Sequence, residues 1–372
     1  MAFTCQCGVL FAYSSRYSTY APCYHADETL ISAECGNTDV FVGHALLAFA
    51  LATLFAEWRD WPARRALTLG VVAGAFAALP DIDVLYALAA LDGGRFLGDG
   101  SVDPEVFWAA ANAVHRSMTH SLLVAAVAGP AVGLWAVRRA SPRDKWLARS
   151  AAVTLLLGLV AVATAVSGPL GTLVMGAFVA GGAALATLAG RWTPLRPRTI
   201  ALAATAGLAT HPWGDLVTGE PPRLLYPLQF TVFDGRVVLH PDPTIHLLGA
   251  FALELAVVWL AVLAVVRITD HSIGLFSDRT AALGATYGAA AIVLVPPTLD
   301  VSYHFVFSIL AVGSVCGILA WYRSIPPVHA VIRTDGVDPR AFRPDLAFVA
   351  ITLAGTTIAL VGYAVVYVAL VS

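Results

Sequence analysis

The sequence is short of charge. Asp, Glu, Lys and Arg make up only 12% of its 372 residues, about half the share of roughly 25% in an ordinary soluble domain. What charge there is nearly cancels, 22 basic against 24 acidic side chains for a net of −2. That balance lacks the basic surface by which proteins grip nucleic acid. Cysteine is scarce after the first 35 residues. Cys5, Cys7, Cys23 and Cys35 precede a long stretch holding only Cys316, so no disulfide framework can staple the body of the chain. In place of charge stand apolar side chains, 58% of the total, with a mean hydropathy of +0.76. A water-soluble core cannot hide that much apolar surface. The composition is that of a polytopic membrane protein and predicts an all-α bundle of transmembrane helices.

Residues 1–39 differ from everything downstream in being rich in Ser, Thr, Tyr and Cys. They carry no basic segment followed by an apolar one, so they do not read as a signal peptide. The membrane sequence begins abruptly at Val40, and the preceding stretch is expected to be an extension, disordered or added by a start codon assigned too early. Beyond it, a hydrocarbon core of about 30 Å calls for about 20 apolar residues per helix. On that template ten spans are expected, near 41–57, 66–90, 118–137, 150–167, 169–190, 199–217, 244–267, 280–297, 301–322 and 346–371, with a tight turn at Ser167-Gly168-Pro169. They divide into a membrane domain over 40–235 and a further helical region over 244–372.

Lys and Arg alternate along the loops. Seventeen lie in the odd-numbered loops, for example Arg59, Arg64 and Arg65 after the first span and Arg138, Arg139, Arg143, Lys145 and Arg149 after the third; only Arg95, Arg116, Arg223 and Arg236 lie in the even ones. Cytoplasmic loops carry the basic excess. The expected topology therefore places both termini and the even loops outside a plasma membrane.

Ionisable side chains at membrane depth are costly and by default functional. Three clusters of them fall at the outer ends of spans. The first is Leu79-Pro80-Asp81-Ile82-Asp83. Proline frees backbone groups and interrupts the helix; in an unbroken helix the two carboxylates would point roughly 200° apart. The second is His115-Arg116-Ser117-Met118-Thr119-His120-Ser121, with one histidine expected from the loop and one from the first helical turn. Ser117 or Thr119 could serve as the helix N-cap, which would account for the hydroxyls but not for the two imidazoles. The third is His211-Pro212-Trp213-Gly214-Asp215, whose His and Asp at i, i+4 share a helix face, with Thr218 one turn on. His44, in the outer turn of the first span, is a fourth contributor by company. His and Asp ligands suit Zn²⁺ first and Mn²⁺ second. The even-loop arginines all adjoin these clusters, and a guanidinium suits phosphate or carboxylate, which favours an anionic substrate.

The same residues resemble the YdjM-like family of membrane-bound proteins assigned as metal-dependent hydrolases. Gly43-His44, Leu-Pro-Asp-Ile-Asp at 79–83, His-Arg-Ser-Met-Thr-His-Ser at 115–121, His211-x-x-x-Asp215 and Leu225-Tyr226-Pro227 follow that family's motifs in order and spacing over about residues 42–230. Ser117 stands where the family usually has glycine. The resemblance implies a divalent metal held by His44, Asp81, Asp83, His115, His120, His211 and Asp215, with Asp83, Arg116 and Thr119 as the groups handling protons and substrate. Placement of these groups at the outer bilayer surface favours a lipid or other membrane-embedded anionic phosphoester as the substrate, with amides and carboxylic esters left open. The rival readings are an ion-coupled transporter, whose broken helices and intramembrane carboxylates look alike, and a metal-stabilised scaffold without catalysis. Further along, His240, Asp242, His246, Asp300 and His304 also lie at outer span ends, where helix capping explains the aspartates.

Overall fold

The computed structural model describes residues 40–85, 116–138, 140–219, 221–269, 278–299, 301–324 and 346–371. Among these the architecture is helical throughout. α1 (Val40–Trp58) and α2 (Ala63–Ala77) are joined by a short turn, and α2 gives way after Ala78-Leu79 to a 3₁₀ turn over Pro80–Leu85. α3 (Leu122–Trp135) and α4 (Pro142–Trp192) follow, then α5 (Pro197–Thr210) and the short α6 (Pro212–Thr218). The remainder is α7 (Pro243–Ile268), a 3₁₀ helix (Arg279–Ala289) ending in one α turn (Ala290–Val293), α8 (Tyr303–Ser324) and α9 (Leu346–Val371).

α4 runs for 51 residues. Unbroken it would be about 76 Å long, more than twice the hydrocarbon thickness. It is two helices. Gly168 has φ 65° and ψ −153°, directly before Pro169, a conformation open to glycine but strained for side-chain-bearing residues. Thr164 and Thr172 then meet at 2.7 Å between hydroxyls, so the chain doubles back where the sequence expected its tight turn.

The structure corrects the count of ten spans. With α4 counted as one element, nine α-helices of more than one turn are present among the described residues. Among the described residues five helical segments are long and apolar enough to cross a membrane, with two shorter apolar helices at Gly43–Trp58 and Leu122–Trp135. The expected span 280–297 is instead the 3₁₀ helix. Gly284 lies so close to α9 that a Cβ there would sit 2.2 Å from the Gly355 carbonyl oxygen, and Pro296-Pro297 lack the N–H groups needed to extend a helix beyond it.

Close approach also brings the first helices together. A Cβ on Gly207 of α5 would meet the Ala73 carbonyl of α2 at 2.3 Å, and one on Gly129 of α3 would meet the Thr205 hydroxyl of α5 at 1.8 Å. Small residues at helix crossings are how membrane helices gain packing without a hydrophobic driving force. Phe76, Met118, Met175, Phe178 and Ile200 fill the core so formed. A second core, among α7, the 3₁₀ helix, α8 and α9, is aromatic: Phe251, Tyr287, Phe305 and Tyr363 cluster there, with the Phe305 and Tyr363 rings edge to face at 5.1 Å. At the arginine-rich end Arg267 pairs with Glu57 at 3.1 Å. The start of α1, the ends of α2 and α5 and the entry to α3 lie at the opposite end, where their ionisable residues meet.

Candidate metal centre

Pro80 has no N–H to continue α2, and the 3₁₀ turn that follows carries Asp81 and Asp83. The two carboxylates do not converge on one point. They approach opposite nitrogens of His120: Asp81 Oδ1 lies 3.8 Å from Nε2, and Asp83 Oδ2 lies 3.5 Å from Nδ1. His120 itself is fully buried and sits just before α3 rather than in its first turn. The N-cap is Ser121, whose hydroxyl accepts from the N–H groups of Leu123 and Val124. This corrects the expectation that Ser117 or Thr119 caps the helix. Ser121 also donates to the Tyr226 carbonyl at 2.8 Å, tying the Leu225-Tyr226-Pro227 segment to the α3 entry. Thr119 is left for another task. Its hydroxyl donates to Asp83 at 2.8 Å, which leaves its oxygen to accept from His120 Nδ1 at 3.0 Å. Asp83 and Thr119 thereby orient the imidazole with Nε2 facing inward, as carboxylates and hydroxyls behind metal-ligating histidines do.

His211 stands at the junction of α5 and α6. Its Nδ1–H donates to the Ala77 carbonyl at 2.7 Å, so Nε2 carries the lone pair and points at Asp81 Oδ1, 3.3 Å away. One turn on, Asp215 places Oδ2 3.8 Å from His211 Nε2 and 3.3 Å from His120 Nε2, while Oδ1 lies 3.4 Å from His44 Nε2. The three rings gather about His211, with His44 tilted against it at 4.1 Å and His120 edge-on at 4.5 Å between centroids. Four helix ends, far apart in sequence, thus aim ring nitrogens and carboxylate oxygens at one volume.

The donor atoms form two overlapping groups, His44, His211 and Asp215, and Asp81, His120 and His211, each with its ligand atoms within 4.8 Å of one another. They are also short of partners. His44 Nε2, His211 Nε2, Asp81 Oδ2 and Asp215 Oδ2 are buried without a hydrogen bond. Each such atom costs about 1–3 kcal/mol in a protein interior. A divalent cation, bound by neutral imidazole nitrogen and carboxylate oxygen, satisfies that set, and these residues could hold one.

Arg116 closes one side. Its backbone is left-handed, φ 67°, a conformation costing on the order of 1–3 kcal/mol in a non-glycine residue. Its carbonyl accepts from the Arg223 N–H at 3.0 Å, while its side chain reaches Asp215 Oδ1 (3.4 Å) and donates to Thr218 (3.4 Å). A cation next to the ligand carboxylate is placed to meet an anion that approaches the centre.

Two residues escaped the sequence reading. A Cβ at Gly214 would lie 2.4 Å from His44 Cε1, and one at Gly219 would lie 1.8 Å from Arg116 Nη1. Gly214 must stay bare for His44 to enter, and a side chain at Gly219 would displace the Arg116 guanidinium from its present place; only the tight spacing around His211-x-x-x-Asp215 hinted at it. His115, expected at the site, lies outside the described residues, as do the loop arginine Arg95 and Asp300. His246 does not join the centre. Its Nδ1 accepts from the Leu239 N–H and its Nε2–H donates to the Val217 carbonyl, so both ring nitrogens serve the backbone.

No curated protein and no solved structure matches this chain. The family model for the YdjM inner membrane protein matches residues 39–274, which extends past the motif-bearing segment to include all of α7. With its apolar helices and its His/Asp cluster at the shared helix ends, the chain belongs to the YdjM inner membrane protein family.

Proposed function

We propose that this protein is a membrane-embedded, metal-dependent hydrolase whose centre lies at the extracytoplasmic face and acts on a lipid or other anionic phosphoester. The observation that carries the reading is the set of buried, inward-facing ligand atoms on His44, Asp81, His120, His211 and Asp215 that lack protein hydrogen bonds or face one another across less than 4 Å. Zn²⁺ is the expected ion, with Mn²⁺ second. When bound, such an ion lowers the pKa of water toward about 7 and polarises the substrate oxygen.

The chain's own residues supply the rest. Asp83 and Thr119 hold His120 by Nδ1 and act as positioning residues. Arg116 meets the substrate's anionic group from the Asp215 side. Hydrolysis adds the hydroxyl of water to phosphorus and its proton to the leaving oxygen; a ligand carboxylate with an oxygen turned into the site, Asp81 or Asp215, is placed to take that proton first. The outer-face assignment rests on the Arg-poor loops at the site end and the Arg-rich loops opposite. Both termini on the outer side complete the proposed topology.

Elemental analysis of detergent-purified protein tests the reading. Wild type is expected to carry stoichiometric zinc or manganese, and Asp215→Ala and His120→Ala to lose it with helical content intact. Protein free of metal after zinc is supplied at neutral pH would overturn the hydrolase and turn attention to proton and ion flux. Metal whose removal unfolds wild type, with no turnover of any phosphoester, would identify a scaffold.

A further inference from the structure

Beside the centre, α1, α6 and α7 enclose a cavity of about 380 Å³, within the roughly 300–1,000 Å³ of small-molecule sites. His44, Gly214 and Thr218 line one end of it. His44 is therefore shared: one side of the ring belongs to the ligand cluster, another to the cavity. The walls are apolar, with Leu47 from α1, Leu247, Phe251, Val257 and Leu260 from α7, and Val306 from α8. From Leu247 to Leu260 the lining follows α7 for about 20 Å at the rise of an α-helix, somewhat more than one leaflet, half of a core about 30 Å thick. Leu253, on its rim, is 51% exposed on a membrane-crossing helix, so the groove opens sideways toward lipid.

We propose that this groove holds one alkyl chain of an amphiphilic anionic substrate whose ester head lies at the His/Asp centre. The inference rests on the hydrolase reading for the head and adds the chain. Its orientation follows from charge. Arg116 donates to Thr218 at the site end, whereas the groove residues from Leu247 to Leu260 on α7 include no cation. An anionic head is attracted to that guanidinium and finds no cation among the residues lining the α7 wall. The apolar part is left to lie along α7, and the family match includes that helix although the metal-ligating motifs end before it. The groove thereby selects long chains over short ones.

The test uses full-length protein in nanodiscs and a long-chain alkyl phosphate with a photoreactive group near the end of its chain. Adducts are expected on α1 and on α7 between Leu247 and Leu260. Excess unlabelled long-chain alkyl phosphate should remove them, and a short-chain one should not. Ala256→Trp and Ala250→Trp, which fill the groove, should reduce labelling about tenfold, since each displaced methylene is worth about 0.8 kcal/mol. Ala256 is exposed and not buried in the core, which protects that variant from misfolding. Ala252→Trp, exposed on the same helix but outside the lining, should label as wild type does. Adducts spread over the lipid-facing surfaces of α8 and α9 and indifferent to competitor would mean bulk lipid only and overturn the proposal. So would a groove closed by a second copy of the chain, seen as a crosslinked dimer. The two readings fail separately. Groove labelling without turnover of any ester removes the hydrolase and keeps the chain site; turnover indifferent to chain length and to Ala256→Trp removes the chain site and keeps the hydrolase.

Discussion

The first six helices and the last three both bury polar side chains, but to different ends. Between α1 and α6 the buried set is His44, Thr53, Asp83, Thr119, His120, Ser121, His211 and Asp215, and all but Thr53 gather at the centre or the α3 entry. Among the described residues from α7 onward it is Thr244, His246, Thr280, Ser302 and Thr356, with no carboxylate. His246 and His211 make the contrast sharp. Both are buried histidines at a helix end, and both bond a backbone carbonyl. His246 uses its second nitrogen on the Leu239 N–H, whereas the second nitrogen of His211 faces Asp81 and has no hydrogen bond. Burial of a polar residue is thus no sign of function by itself. Ligand atoms left over after the backbone has been served are.

The comparison breaks most readily on two histidines. His44→Ala removes a ring whose Nε2 has no hydrogen bond. Metal affinity should fall by more than about 100-fold, the upper range for losing a mere supporting partner, while the thermal midpoint of the metal-free protein changes little. His246→Ala should do the reverse. Two backbone groups lose their partners at about 1–3 kcal/mol each, so the midpoint falls and stoichiometric metal remains. Isothermal titration with zinc and thermal unfolding in the same detergent separate the two; a metal-free His44→Ala protein as unstable as His246→Ala would erase the distinction.

How much of this could be read from the sequence depends on the range of the interaction. The i, i+4 relation of His211 and Asp215 is local, and the structure keeps it. The break after Pro80 is local too, since a missing N–H acts on its own helix. The meeting of four helix ends was legible because alternating basic loops place alternate helix ends on one side. What the breaks lead to was not. Asp81 and Asp83 were expected at one point, yet they flank the two nitrogens of His120, because a 3₁₀ turn rotates successive side chains by about 120°. The capping role of Ser121 in place of Thr119 depends on the Leu224–Tyr226 backbone more than 100 residues away. Gly214 and Gly219 are bare because of side chains that arrive from α1 and from the α3 entry. The nine helices in place of ten have the same origin: hydropathy over 280–297 fits a span, and only contact with α9 shows why that segment is wound as a 3₁₀ helix.

The second half is sharpened by a glycine. At Gly284 a new Cβ would meet backbone on both sides, the Gly355 carbonyl oxygen at 2.2 Å and the Ala359 nitrogen at 3.1 Å. Backbone cannot swing aside as a side chain can. Gly284→Ala is therefore expected to destabilise by about 1–3 kcal/mol, the range for overpacking a tight contact. Thermal unfolding should show it, and metal content should not move. Lost metal in this variant would mean that the two cores are not energetically separate.

The smallest effect concerns a carboxylate at the start of the second half. Asp242 caps α7 from its surface end. Its side chain accepts from the Ile245 N–H at 2.9 Å and from the Tyr367 hydroxyl of α9 at 3.1 Å. The helix-start N–H of Ile245, above all, holds its carboxyl below the usual value, with the Tyr367 hydroxyl adding to it. A carboxyl lowered on folding stabilises above its unfolded value of about 3.9 and loses that contribution as pH falls through the folded value. Asp242→Asn keeps an oxygen for the cap but has no charge to lose. Wild type should therefore be slightly the more stable at pH 7, and the two thermal midpoints should draw together as the pH is taken below about 4. Solvent screening keeps the gap small. Midpoints that stay equally far apart at both pH values would show that the cap works through geometry alone. In that case the charge at Asp242 contributes nothing, and the side-chain oxygen alone carries the cap.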